Sequence, residues 1–130
     1  MLFLLHILLM AIATMGLLTG VSVAIFFRRK KNWLNLHKTV NAFSMVGAAA
    51  GVVMAFFYVA GTGGNHINGL HQITALTAFI VALITMSLGY YQFKAKNKSA
   101  VRAAHRRLGR FALFIFTAAA LLGLKLINIL

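Results

Sequence analysis

Four apolar stretches, each longer than the ~20 residues a helix needs to cross a ~30 Å hydrocarbon core, follow one another with only short loops between them. They run from about Leu2 to Phe27, Leu36 to Ala60, Leu70 to Phe93 and Leu108 to Leu130, the last helix starting near Val101. None of them alternates with the two-residue period of a barrel strand, and the chain has no proline. A backbone inside a bilayer must satisfy its own hydrogen bonds, so the stretches read as four uninterrupted helices. A soluble domain of 130 residues, 62% of them hydrophobic, could not bury that surface. The loops, Arg28 to Asn35, Gly61 to Gly69 and Lys94 to about Ala104, are short enough to make consecutive helices antiparallel neighbours. The expected fold class is all-α: an integral membrane up-down four-helix bundle, one domain over residues 1–130.

Absence of Asp, Glu and Cys narrows the chemistry. Carboxylate acid–base pairs, carboxylate-bridged metals, disulfides and thiolate ligands all need residues this chain lacks. Its formal charge is +13, and the charges are strongly sided. Arg28, Arg29, Lys30, Lys31 and Lys38 flank the first loop. Lys94, Lys96, Lys98, Arg102, Arg106, Arg107 and Arg110 flank the third, and only Lys125 lies toward the opposite side. This reads as topology, not as a nucleic-acid footprint, with lipid headgroups, cofactor carboxylates or an acidic partner as counter-charges. The positive-inside rule puts both basic loops in the cytoplasm, and both termini and the glycine loop outside. The first stretch resembles a signal peptide at Ala11-Ile12-Ala13, but it lacks a basic start and runs on to a stop-transfer Arg-Arg-Lys-Lys. It reads as a retained helix.

That orientation sorts the histidines. Four of the five stand just inside one end of an apolar stretch, spaced by 31, 34 and 34 residues. His6 and His71 fall at the outer face, His37 and His105 at the inner. An imidazole in hydrocarbon is costly without a partner, and such groups are functional candidates. Two facing pairs are what two bis-histidine haems require, one between His6 and His71 and one between His37 and His105, on diagonal helices. Reflecting each hairpin about its loop centre separates the two layers by about 20 residues, or ~30 Å. A single histidine near a helix end is ordinarily an interfacial residue; four in level-matched pairs are harder to read so. Zinc would want more donors, with His66 the only further imidazole near the outer pair.

Glycines recur on the histidine faces: Gly20 and Gly51 fourteen residues after His6 and His37, Gly89 and Gly123 eighteen after His71 and His105. Fourteen steps return within ~40° and eighteen return fully, so each could clear a patch for a flat macrocycle. The other reading is that Gly16-x-x-x-Gly20 and Gly47-x-x-x-Gly51 are small-residue packing motifs.

Taken in order, these residues resemble the transmembrane cytochrome b561 superfamily. The pattern is a histidine opening the first helix, Gly20 and an Arg28-Arg29 exit, Trp33-x-x-x-His37, His71, and Arg102-x-x-His105-Arg106-x-x-Gly109-Arg110. The resemblance extends from His6 to the last helix and is to the four-helix core, not to the flanking helices or donor domains of larger members. It implies two b-type haems, one per leaflet, and electron transfer across the membrane, with His6 paired to His71 and His37 to His105. Members commonly oxidise cytoplasmic ascorbate or a similar donor and reduce external ferric iron or monodehydroascorbate.

Lys38, Arg106, Arg107 and Arg110 lie within about a turn of the inner ligands and could neutralise propionates or bind an anionic reductant, besides setting topology. Trp33, Tyr58, Tyr90 and Tyr91 read as interfacial anchors, and Phe111, Phe114 and Phe116 as packing or lipid-facing residues. His66, with Asn65, Asn68 and Gln72, is the polar cluster of the outer face, read as a solvated loop. The reading is a dihaem cytochrome acting as a transmembrane oxidoreductase of ascorbate, quinol or ferric-reductase type. Its expected partners are lipids, a small-molecule or protein donor and acceptor, and a second copy or a larger complex. Alternatives are a haem-bearing subunit of a respiratory or photosynthetic complex exchanging electrons with quinone, and a structural or channel protein with interfacial histidines.

Overall fold

The computed structural model describes residues 1–129. It contains four helices: α1 (Leu2–Phe26), α2 (Trp33–Gly61), α3 (Leu70–Tyr91) and α4 (Lys98–Leu126). All four are long and apolar enough to cross a membrane. The all-α expectation holds, and the protein is an integral, multi-pass membrane protein.

Helix ends differ from the hydropathy boundaries in ways the local chemistry explains. Helix α2 starts at Trp33, not Leu36, and α4 at Lys98, not Val101. At α4 the Asn97 side chain accepts the Ala100 N–H at 3.1 Å, so a cap starts the helix inside the basic loop. Basic side chains are good helix formers; they end the hydrophobic stretch without ending the helix. Helix α3 stops at Tyr91, two residues before the expected end. The expected end of the fourth span, Leu130, lies outside the described residues. Gly63, at φ +68°, supplies the left-handed turn after α2 that a side chain would disfavour.

The chain forms two compact units, residues 1–72 and the remainder from Ile73 onward. In the first, α1 and α2 form an antiparallel hairpin with a seam of small residues. Ala13 and Ala48 are completely buried, with Thr14, Gly20, Ser44 and Gly51 also buried. A Cβ on Gly16 would run into the Ser44 side chain. A Cβ on Gly47 would lie 3.9 Å from that of Ala13 and 4.0 Å from the Leu9 carbonyl oxygen. Close approach of backbones is what small-residue motifs provide where no hydrophobic effect drives helices together. Opposite the seam, Leu4, Leu8, Ile12 and Met15 form an exposed apolar stripe at helical spacing, a surface for lipid chains.

In the second unit, α3 offers Ala78, Ala82 and Thr85 as buried positions, and α4 offers Ala112, Phe116 and Ala119. Phe116 is 2% exposed, while Phe111 and Phe114 are exposed, so the three phenylalanines divide between packing and lipid. Gln92 ties the helix ends together: its Nε2 donates to the Gly89 carbonyl at 2.8 Å, and its Oε1 accepts from Arg102 Nε at 3.3 Å.

The seam of the first hairpin yields a test. Ala48→Leu forces three extra carbons into a completely buried position and should destabilise the protein by about 1–3 kcal/mol. Val46→Leu, at an exposed position two residues away, should be nearly neutral. Unfolding in mixed micelles checks both.

Candidate functional site

Three of the four membrane histidines make one bond in common. His6 Nδ1 lies 2.9 Å from the Gly51 carbonyl oxygen, His37 Nδ1 2.8 Å from that of Gly20, and His105 Nδ1 2.8 Å from that of Thr85. A carbonyl oxygen only accepts, so each Nδ1 carries the hydrogen and donates it. In a neutral ring this leaves Nε2 as a bare lone pair, the form that binds a metal. The three rings are half-buried near helix ends, where losing this bond would strand a donor away from water.

In the first hairpin the bonds are reciprocal. His6 of α1 reaches α2 fourteen residues after His37, and His37 of α2 reaches α1 fourteen residues after His6. The carbonyl that meets His37 therefore lies a rise of about 21 Å along α1 from His6, shorter than the ~30 Å of the loop-centre reflection. That reflection assumed a symmetrical loop; Arg28 to Asn32 instead form a turn set beyond the His37 level.

Glycine roles follow from these bonds. A Cβ on Gly51 would meet Met10 Sδ at 2.8 Å, and one on Gly20 would meet Asn41 amide atoms at 2.5–2.7 Å. Both glycines serve helix approach and carbonyl presentation, and protein side chains fill the space they leave. The packing reading therefore accounts for them more fully than an open patch. In the second unit the bonded carbonyl is again fourteen residues after a histidine, but the residue is Thr85, not the glycines at eighteen. A Cβ on Gly89 would lie 2.8 Å from His105 Cε1, so that glycine makes room for the ring. Gly123 accepts the Ile127 N–H at 3.3 Å near the end of α4.

His6 and His71 stand with ring centroids 6.4 Å apart and planes at 78°. Two imidazoles on opposite sides of one metal, each with a bond of about 2 Å, place their centroids roughly 6 Å apart. Rotation about those bonds leaves the interplanar angle free. The donor set, two imidazoles without carboxylate or thiolate, is chemically suited to holding a b-type haem. Among the described residues no three metal-binding side chains converge, so His66 does not complete a zinc or copper site. His66 instead stacks on Phe56, centroids 4.3 Å apart and planes at 15°.

Near His37, Trp33 lies 6.5 Å away between centroids, and the Arg28 guanidinium stands 6.0 Å over the Trp33 ring while donating to the Ala24 carbonyl. Lys38 is half-buried; Arg106, Arg107 and Arg110 are exposed. At the other end Tyr58 pairs with Phe3 at 5.2 Å. Sequence reasoning missed Asn41, Met10, Thr85 and Gln92. The first two were findable, each being four residues after a histidine and so on its face.

A family model for eukaryotic cytochrome b561 matches residues 2–129. Neither a search of curated proteins nor a search of solved structures returns a match.

The close approach at Gly89 yields a prediction. Gly89→Ala improves helix propensity by about 1 kcal/mol yet drives a methyl into the His105 ring. The variant should stay folded and displace the His105 ring, so that a haem held by this histidine would be lost. Gly109→Ala, whose Cβ would make ordinary 3.5 Å contact with Thr85, should retain it. Pyridine haemochrome assay of both variants compares them.

Proposed function

The chain belongs to the eukaryotic cytochrome b561 family, and from that premise we propose that it moves electrons across its membrane by way of two haems b, one near each face. Haem b, when bound, supplies reversible one-electron chemistry at its iron. His6 and His71 would hold the outer group, and His37 and His105 the inner. Each Nδ1–carbonyl bond holds its ring in the ligating tautomer and orients it before the group arrives. The apolar helices keep water from the rings. Lys38, Arg106 and Arg110 stand within about a turn and a half of the inner ligands, where they could balance propionates and attract an anionic cytoplasmic reductant such as ascorbate. The basic loops support a cytoplasmic inner face, with electrons leaving at the outer face toward an oxidised small molecule or ferric iron. No bond-making catalytic side chain is needed for such an oxidoreductase.

The observation that carries this reading is the repeated histidine-to-carbonyl bond. An interfacial histidine would turn its ring to headgroups, whereas these rings are anchored across the helix seam.

Purified protein should contain two low-spin haems b per chain and bind carbon monoxide slowly, because paired imidazoles leave no open coordination position. His37→Ala and His105→Ala should each remove the same spectral component, and His6→Ala and His71→Ala the other. Loss of one common component in His6→Ala and His37→Ala would overturn the pairing. His66→Ala should retain both haems, since that ring stacks on Phe56; a lost haem there would make it a ligand.

A further inference from the structure

His37 has a second polar neighbour at Nδ1. Asn41, one turn further along α2, donates Nδ2–H to the His37 carbonyl at 2.7 Å, and the same nitrogen lies 3.0 Å from His37 Nδ1. The carbonyl contact fixes which end of the amide is nitrogen, because an oxygen there would face another oxygen. The amide NH2 group, the positive end of the side-chain dipole, thereby stands beside the ring nitrogen whose own hydrogen goes to Gly20.

The other half of the hairpin is a built-in comparison. His6 makes the same bond to Gly51, and the residue four after it is Met10. Each of these side chains covers the glycine that its own histidine bonds: Met10 over Gly51, Asn41 over Gly20. One position is a thioether without a donor, its counterpart an amide.

We propose that Asn41 is a positioning residue that raises the reduction potential of the inner site, and that the exchange of methionine for asparagine makes the two sites of this hairpin unequal. The proposal rests on His37 being an axial ligand. With haem bound, the oxidised state would place positive charge partly on the His37 imidazole that holds it. The Gly20 carbonyl on Nδ1–H stabilises that charge, and the Asn41 N–H opposes it. In a low-dielectric surround neither dipole is screened, so the oxidised form loses stability relative to the one-electron-reduced form. An electron entering at the cytoplasmic face is then held more firmly at the inner site than an apolar residue at 41 would allow.

Potentiometry on the purified holoprotein tests this with Asn41→Met, Asn41→Thr and Met10→Asn, using His37→Ala and His6→Ala to assign the components. Met removes the donor. Thr keeps a bond to the carbonyl four residues back, as Thr14 does to Met10, and brings no amide NH2 group beside Nδ1. Both should lower the midpoint of the component that His37→Ala removes, by about tenfold in the reduction equilibrium or ~59 mV, and leave the other component in place. Met10→Asn should raise the component that His6→Ala removes. An unchanged or raised His37 component in the Asn41 variants overturns the proposal. If both Asn41 variants lose the haem, Met10→Asn decides, and no rise there overturns it. If His37→Ala removes no component, the ligand assignment itself has failed, a result distinct from an unmoved potential.

Discussion

A histidine N–H that ends on the backbone carbonyl of a neighbouring helix is the interaction on which the rest of this protein depends. Away from water the ring N–H has no ready replacement partner, so losing the bond costs more than the net 0.5–1.5 kcal/mol that making a typical one contributes. A carbonyl oxygen has two lone pairs and its own helix uses one. The histidine takes the other without breaking a helical bond. One hydrogen bond thereby joins two helices, selects a tautomer and aims a lone pair.

Such a bond demands that helix backbones nearly touch. The small residues along α1 and α2 meet that demand: Ala13 against Gly47, Gly16 against Ser44, with Ala48 wholly enclosed. Packing and imidazole placement are therefore one problem in this hairpin. A bulkier seam would move the carbonyls away from His6 and His37 before it unfolded anything. Thr85 meets the need differently, turning its hydroxyl back to the Val81 carbonyl at 2.7 Å while its own carbonyl faces His105.

Much of this was legible from the residues. The four helices follow from apolar length, and the histidines stand out because hydrocarbon makes them expensive. Gly20 and Gly51 were visible as a fourteen-residue recurrence that left a macrocycle patch and a packing motif both open, because spacing gives the face of a helix and says nothing of what lies opposite. In the second unit the glycine recurrence lies at eighteen, while the bonded carbonyl stays at fourteen and belongs to Thr85. A backbone carbonyl is offered by every residue type, so no composition signal marks it. Helix starts at Trp33 and Lys98 were missed for a related reason, since hydropathy measures immersion in lipid and helix continues into the basic turns.

The staples also differ in how much chain each one encloses. His37 reaches back 17 residues to Gly20 and His105 reaches back 20 to Thr85, whereas His6 must wait for Gly51, 45 residues on. Closing a loop costs entropy that grows with its length, and a donor cannot bond a residue not yet synthesised. The His37 staple thus closes early, beside the basic turn. The His6 staple comes only when most of α2 has been made, so the hairpin zips outward from its basic turn.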